Sequence, residues 1–139
     1  MKLITISALI LCAIAYLEAD ASSDVLRLEG GFEYRSDEES RDILGDQVCF
    51  YPEGRSASLV PRDKADQRLV WFCFRNTADA KQMLQVPASP STGACGIRGR
   101  AQVEVADYWV YRGEGDGNDL AILKVVISAS SGEAIACQK

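Results

Sequence analysis

The sequence predicts a small all-β domain of five strands with one short helix and two disulfides. Apolar and polar side chains alternate along several short segments, with the period of two that is typical of half-buried strands. One segment of good helix formers lies between the third and fourth of these segments. The chain has 139 residues, which is enough for one domain around one core.

The first 21 residues differ from the remainder and predict a cleaved signal peptide. Lys2 supplies one positive charge, residues 3–17 are mostly apolar, and Ala19 and Ala21 are small residues of the kind that a signal peptidase reads. An apolar run of 15 residues is shorter than the roughly 20 that a membrane span needs. We therefore expect a single domain over residues 22–139, with no membrane span after cleavage, in the periplasm or secreted.

Composition argues against several classes of function. The chain has 15 basic and 20 acidic residues, and removing Lys2, Glu18 and Asp20 with the signal leaves 14 and 18, a net charge of −4. A mildly acidic domain is poorly suited to the phosphate backbone of a nucleic acid. The chain has no histidine, which is the usual general base and the commonest metal ligand. We expect no catalytic residues, no metal and no cofactor.

The predicted elements follow from alternation and from turn residues. The predicted strands are 25–34, 47–51, 68–75, 97–111 and 120–127, and the predicted helix is 78–85, with Asn76 or Thr77 as its cap. Residues 36–42 are predicted to be an exposed loop, 55–67 a long polar connection, and 128–139 a tail held only by Cys137. Gly30-Gly31 in the first strand, and a change of parity before Tyr108 in the fourth, each predict a bulge or a sharp bend.

The four cysteines after the signal predict two disulfides. Their spacings of 22 to 42 residues do not fit a zinc site, which needs close pairs. Residues paired in an antiparallel hairpin lie at equal distances from its turn. Cys49 and Cys73 each lie 12 residues from the middle of the 55–67 connection, and Cys95 and Cys137 each lie 21 residues from one position in the glycine-rich segment 113–119. This symmetry favours the pairs Cys49–Cys73 and Cys95–Cys137.

Four stretches of the sequence carry a family resemblance, namely Val48-Cys49-Phe50, Trp71-Phe72-Cys73-Phe74, the helical segment Ala78–Leu84 and Gly99–Val105. With these stretches, and with the element order strand, strand, strand, helix, strand, strand, residues 25–127 resemble OB-fold domains of the tRNA-anticodon-binding-like type. The resemblance implies a small five-stranded barrel whose first strand bends to pair on both sides. Members that bind nucleic acid use basic groups. This chain has no comparable basic stripe, so that activity is not carried over.

Strand parity predicts a candidate binding face. One face of the second and third strands is wholly apolar and is the predicted core: Val48, Phe50, Val70, Phe72 and Phe74. The opposite face places Tyr51 opposite Trp71 and Gln47 opposite Arg75, with the Cys49–Cys73 bridge between the two pairs. An outward aromatic pair with an arginine nearby is typical of a binding patch. The alternative is ordinary cross-strand packing covered by the 55–67 connection.

Other segments that could carry chemistry favour ordinary structural roles. Residues 113–119 resemble a calcium loop in composition, but the glycines are misplaced and no closing glutamate follows, so we predict a turn. A serine nucleophile in 89–93 would need a lysine base, because histidine is absent. The acidic run 37–42 is predicted to be a solvated loop, with a basic partner as the alternative.

These observations favour a non-enzymatic binding protein of the bacterial cell envelope. We expect a protein partner, as for an inhibitor or an immunity factor, bound through Tyr51, Trp71, Arg75 and Gln47. A module for a small ligand or glycan on the same aromatic face is the first alternative, and a groove between Tyr51 and Trp71 would distinguish it. A hydrolase with a carboxylate pair is the second alternative.

Overall fold

The computed structural model describes residues 24–137, which form one six-stranded sheet and three short helices. In chain order the elements are β1 (Leu26–Arg35), α1 (Glu38–Leu44), β2 (Val48–Pro52), α2 (Arg55–Leu59), β3 (Phe72–Phe74), α3 (Thr77–Met83), β4 (Ala94–Trp109), β5 (Asp119–Ala129) and β6 (Glu133–Ala136). The predicted signal peptide, residues 1–21, lies outside the described residues. Within 24–137 no helix has both the length and the apolar character to cross a membrane.

Backbone pairing joins five of the six strands into a ring. β1 pairs antiparallel with β2 on one side and with β4 on the other. β2 pairs with β3, β3 pairs in parallel with β5, and β5 pairs with β4. β6 extends the sheet from β4. Gly30 is required where β1 is paired on both sides, because an added Cβ there would overlap the carbonyl oxygen of Tyr51.

The core lies inside the ring and is dominated by phenylalanine. Phe32, Phe50, Phe72 and Phe74 are each at most 1% exposed, and the rings of the last three contact one another, with centroids 5.6 Å apart for Phe50 and Phe72. The predicted core face of β2 and β3 is confirmed, with Val70 half-buried against the cluster. Truncation of one such buried ring to alanine typically costs about 3 to 5 kcal/mol.

The order of elements differs from the prediction in three places. The acidic run 37–42 was expected to be a loop, but most of it lies in α1: Asp37 is the N-cap, its side chain accepts a hydrogen bond from the Ser40 backbone N–H at 3.0 Å, and Gly45 with φ of 66° ends the helix. Acidic residues in a first turn favour a helix N-terminus as well as a solvated loop. Residues 55–59 of the long connection form α2. The predicted tail contains β6, which pairs with β4.

Most predicted strands and the helix are confirmed, with different bounds. β3 is the largest change, since only residues 72–74 pair, whereas 68–75 was predicted. The change of parity in β4 is confirmed: its register with β5 shifts between Ala106 and Trp109, and Asp107 there has φ of 51°. α3 is confirmed, but the Asn76 side chain makes no cap. Its amide exchanges two 2.9 Å hydrogen bonds with the backbone of Leu123 and so ties the helix to β5.

One buried carboxylate joins the strands to the long connection. Asp119, which is 1% exposed, opens β5 with its side chain inside the ring. Its Oδ2 accepts hydrogen bonds from Arg62 Nη2 at 2.7 Å and from the Tyr108 hydroxyl at 2.6 Å, and its Oδ1 accepts one from the Tyr111 backbone N–H at 2.9 Å. Arg62 also donates to the carbonyl of Arg68 at 3.0 Å. The network therefore fixes the 60–71 connection, the end of β4 and the start of β5 together.

Replacing Arg62 by methionine should destabilise the domain strongly. The Arg62 side chain is 9% exposed and its partner Asp119 is 1% exposed, so the substitution leaves a buried carboxylate without its cation. Breaking a buried pair in this way costs about 3 to 5 kcal/mol. Urea denaturation of Arg62→Met beside Arg112→Met, which changes an exposed arginine, measures the loss of free energy of unfolding. Equal midpoints for the two variants would contradict the role of the pair.

The stability of the domain should fall with rising pH partly because of Tyr108. Burial, and then the hydrogen bond to Asp119, raises the pKa of Tyr108 far above its usual range. The Tyr108 hydroxyl ionises at a lower pH in the unfolded chain than in the fold. Its contribution to stability is therefore complete below the unfolded pKa of about 10 and is lost as the pH rises above that value. Urea midpoints from about pH 9 to about pH 11 should therefore fall more steeply for the wild type than for Tyr108→Phe. Parallel slopes would show that Tyr108 ionises as easily in the fold as in the unfolded chain.

Candidate binding face

The strand register places the predicted aromatic pair on the outer side of the ring. Cys49 lies opposite Cys73 and Phe50 opposite Phe72, which is the predicted register. Because the phenylalanines point inwards, the alternating neighbours Tyr51 and Trp71 point outwards. The two rings stack on each other with centroids 5.9 Å apart and planes 13° apart. Both are half-buried, and neither belongs to the core cluster.

The other two predicted site residues, Gln47 and Arg75, lie on the same side of the sheet. The structure records no contact between their side chains and the rings of Tyr51 and Trp71. Gln47 is half-buried and Arg75 is exposed, each two residues beyond a cysteine of the Cys49–Cys73 bridge. Neither side chain forms a hydrogen bond or an ion pair with another residue of 24–137. The structure therefore brings Tyr51 and Trp71 together and leaves Gln47 and Arg75 at the other end of the bridge.

Register extends the outer surface beyond the predicted pair. Cys73 of β3 lies opposite Leu120 of β5, and Leu120 lies opposite Trp109 of β4. Residues directly opposite one another share a face of a sheet. The row from the bridge to Trp109 is therefore apolar throughout, and Trp109 is 46% exposed. We call the outward side chains of Tyr51, Trp71, Leu120 and Trp109 the aromatic face.

The long connection is directed towards the end of the ring. Ser56 of α2 accepts a hydrogen bond from the Glu29 backbone N–H at 2.8 Å, Val60 enters the core, and Arg62 binds Asp119. These contacts are with β1 and with inward-facing groups. They place residues 56–62 over the end of the ring, and the alternative interpretation, in which the 55–67 connection covers Tyr51 and Trp71, stays a prediction.

The electrostatic environment of Tyr51 keeps its hydroxyl protonated at neutral pH. Burial, and then the nearby Glu33 carboxylate, raises the pKa of Tyr51, with a smaller opposing effect from Arg35. Glu33 accepts a 2.6 Å hydrogen bond from Arg35 Nε, and this bond raises the pKa of Arg35. The Tyr51 hydroxyl can therefore donate a hydrogen bond to a ligand throughout the physiological range.

A groove adjoins Tyr51 on the side away from Trp71. It has a volume of about 520 Å³, and its lining includes Gly31, Tyr51, Glu53, Arg98 and Arg100. Gly31 lies directly opposite Tyr51 on β2 and opposite Arg100 on β4. The groove was not predicted from sequence.

The glycine-rich segment 113–119 has a packing role. The Tyr111 hydroxyl donates to the Glu114 carbonyl at 2.8 Å, and a Cβ added at Gly113 or Gly117 would overlap the Tyr111 ring. The glycines therefore let the backbone wrap around this ring. Within residues 24–137 no group of three or more Asp, Glu, Cys or His side chains could hold a metal ion.

Some residues of the site could not be recognised in the sequence, although part of the signal was present. The fifth predicted strand is apolar at nearly every position, which indicates that both of its faces meet other groups. The alternation of side chains in β4 also places Trp109 on the other face of the strand from Tyr108. Neither signal states that β5 lies beside β3, and this adjacency alone brings Leu120 and Trp109 to the Cys49–Cys73 bridge.

Two disulfides indicate an oxidising compartment, and both predicted pairs, Cys49–Cys73 and Cys95–Cys137, are confirmed.

Comparison with family models, with curated proteins and with solved structures gives no match. The function of this chain must therefore be inferred from its geometry.

Replacing Cys49 and Cys73 together by alanine should cost about 3 kcal/mol of unfolding free energy. The bridge closes a loop over a sequence separation of 24, and loop-closure entropy gives a cost of that size. Urea denaturation, with the Cys95→Ala/Cys137→Ala double variant beside it, measures this cost. The second bridge spans 42 residues, so its loss should cost slightly more. A negligible loss in the first variant would mean that β2 and β3 hold their register without the bridge.

Proposed function

We propose that this chain is an exported, non-enzymatic binding protein that recognises a protein partner through the aromatic face. The observation that carries the proposal is the half-buried Tyr51–Trp71 stack on the outer side of the sheet, beside the buried Cys49–Cys73 bridge, with Leu120 and the exposed Trp109 across β5 and β4. Aromatic side chains that are partly exposed and held rigidly are the residues that contribute most to protein interfaces. Arg75 and Gln47 supply a polar rim to this face.

The proposed partner lies in an oxidising compartment. The disulfides and the predicted signal peptide support the bacterial periplasm or the extracellular medium as the location. An acidic domain of fixed shape suits an inhibitor or an immunity-like factor, because complementary charge speeds encounter with a basic partner. Glu38, Glu39 and Asp42 of α1 form an exposed acidic surface that such a partner could use.

We also propose that the domain is OB-like, of the tRNA-anticodon-binding-like type. The ring of five strands, the pairing of β1 on both sides and the position of α3 between β3 and β4 support this assignment. In OB folds the second and third strands belong to the usual ligand face. Here Tyr51 lies in β2 and Trp71 immediately precedes β3.

The two alternative functions require geometry of a different kind. A sugar held between Tyr51 and Trp71 requires a gap between the rings, but these rings stack on each other. A hydrolase requires two carboxylates that face one substrate atom. The carboxylates that line the groove beside Tyr51 each lie within 4 Å of an arginine nitrogen, in the pairs Glu33–Arg35, Glu53–Arg100 and Glu133–Arg98.

The proposal is tested by capture from native envelope extract with the oxidised domain as bait. A Tyr51→Ala/Trp71→Ala bait should lose a protein that the wild type captures, since the loss of two interface aromatics typically weakens binding by 100-fold or more, at about 2 kcal/mol each. The captured protein is then identified, and its Kd for each purified bait is measured by calorimetry.

A Leu59→Ala bait is the matched control, because Leu59 is 50% exposed on α2 and belongs neither to the aromatic face nor to the acidic surface of α1. It should capture the partner as the wild type does. Capture by all three baits would place the interface elsewhere on the domain, and capture by none would remove the support for a protein partner.

A further inference from the structure

Two adjacent glycines in β1 differ in what the fold requires of them. Gly30 is dictated by packing, because an added Cβ would overlap the backbone of Tyr51. At Gly31 the nearest atoms to an added Cβ are the Gly99 carbonyl at 3.7 Å and Glu53 Oε1 at 3.8 Å, which are ordinary contact distances. Gly31 also lies in extended backbone paired on both sides. A Cβ is therefore tolerated at Gly31, and the register of β1 with β2 and β4 is continuous there, so a bulge does not account for this glycine. A glycine inside a strand marks a bulge, a sharp bend or the close approach of another group, and the groove beside Gly31 favours the last of these.

The missing side chain leaves a depression between an aromatic ring and an ion pair. Tyr51 lies across from Gly31 on β2, and Arg100 lies across from it on β4. Arg100 Nη1 donates to both carboxylate oxygens of Glu53, at 2.9 and 2.7 Å, so the pair crosses β1 beside Gly31. Both side chains remain about half exposed, at 58% and 51%. Their remaining donor and acceptor positions are therefore accessible from the groove.

The groove has a mixed polar and apolar lining, and its charges are largely balanced. Glu33 is paired with Arg35, and Glu133 lies 3.9 Å from Arg98. Ser130 and Ser131 add hydroxyls to the lining. A second depression of about 250 Å³ shares Arg100 and Ser130 with the groove and continues along Gln102 and Ser128. The two depressions together form a trough with room for more than one ring of a linear ligand.

These features favour one ligand chemistry. A phosphate or sulfate ligand needs unpaired cations, whereas Arg98 and Arg100 already face carboxylates. An extended peptide that adds to a sheet needs a free strand edge, whereas β1 and β4 are paired on both sides here. An aromatic ring beside paired planar groups and hydroxyls matches a pyranose, which has an apolar C–H face and several hydroxyls. A volume of about 520 Å³ is within the usual range of ligand sites.

We propose that the groove over Gly31 binds an uncharged sugar. The sugar lies over Gly31 with one face against the Tyr51 ring, and its hydroxyls bond to the Arg100–Glu53 pair and the serines. This site is separate from the proposed protein interface and shares only Tyr51 with it. Trp71, Leu120 and Trp109 take no part in it.

The first test is a glycan array probed with the oxidised domain. The array carries neutral oligosaccharides of glucose, galactose, mannose and N-acetylglucosamine, together with sialylated and sulfated glycans. Binding to neutral structures is expected, and the best of them is titrated by calorimetry. Binding confined to charged glycans, or to none, overturns the proposal.

The second test fills the groove at Gly31, beside the Glu53 carboxylate. Gly31→Val places a side chain where the sugar would lie, and it should weaken the titrated sugar by at least about tenfold. Ala136→Val is the matched control, because it places the same side chain at an exposed strand position outside the lining of both depressions. Equal affinity in wild type and Gly31→Val overturns the site.

A third variant keeps the result interpretable if Gly31→Val folds poorly. Glu53→Gln preserves shape in an exposed pair and should weaken the sugar by about tenfold, while the melting temperature changes little. Unchanged affinity in Glu53→Gln overturns the role of the pair. Trp109→Ala separates the two proposals, because Trp109 belongs to the aromatic face and not to the groove: weaker binding of the protein partner with retained sugar binding is expected if both are correct.

Discussion

The closure of this ring depends on one buried ion pair. The joint between β3 and β5 is parallel and only three residue pairs long, and Asp119 lies opposite Phe72 at its start. A parallel joint cannot be made by a hairpin, so the two strands must be held by something other than a tight turn. Asp119 serves this purpose because its carboxylate needs a cation once it is buried. Arg62 supplies the cation, and in doing so it draws the long connection over the end of the ring.

The alternation of inward and outward side chains along the strands produces both the core and the aromatic face. Phe50, Phe72 and Asp119 form an inward row across three strands, and the neighbouring row of Cys49, Cys73 and Leu120 therefore faces outwards. The disulfide between Cys49 and Cys73, which are 2% and 0% exposed, fixes β2 against β3 from the side of the sheet away from the phenylalanines. It also fixes the register on which the stacking of Tyr51 on Trp71 depends. The stability of the core and the arrangement of the aromatic face are thus two consequences of one register.

Local patterns in the sequence were sufficient for β1 to β5, α3 and both disulfides, because alternation and hairpin symmetry depend on nearby residues, but they did not indicate β6. They were insufficient wherever distant residues decide. The parallel contact of β3 with β5 joins segments about 45 residues apart, so the Arg62–Asp119 pair and the Leu120–Trp109 row could not be read from either segment alone. α1 was missed because Asp37 and the acids after it suit a capped helix and a solvated loop equally well. Gly30 and Gly31 look alike in the sequence, and only the positions of β2 and β4 distinguish them.

Tyr51 links the aromatic face to the groove. One side of its ring packs on Trp71, and the other side borders the space over Gly31. The stack and the Cys49–Cys73 bridge hold the ring in place, so a sugar would meet a preformed wall and would lose little free energy to ordering it. A protein partner that displaced Trp71 would release that wall. Binding at the two sites is then linked through Tyr51, and by reciprocity a sugar in the groove must change the affinity of such a partner by the same factor.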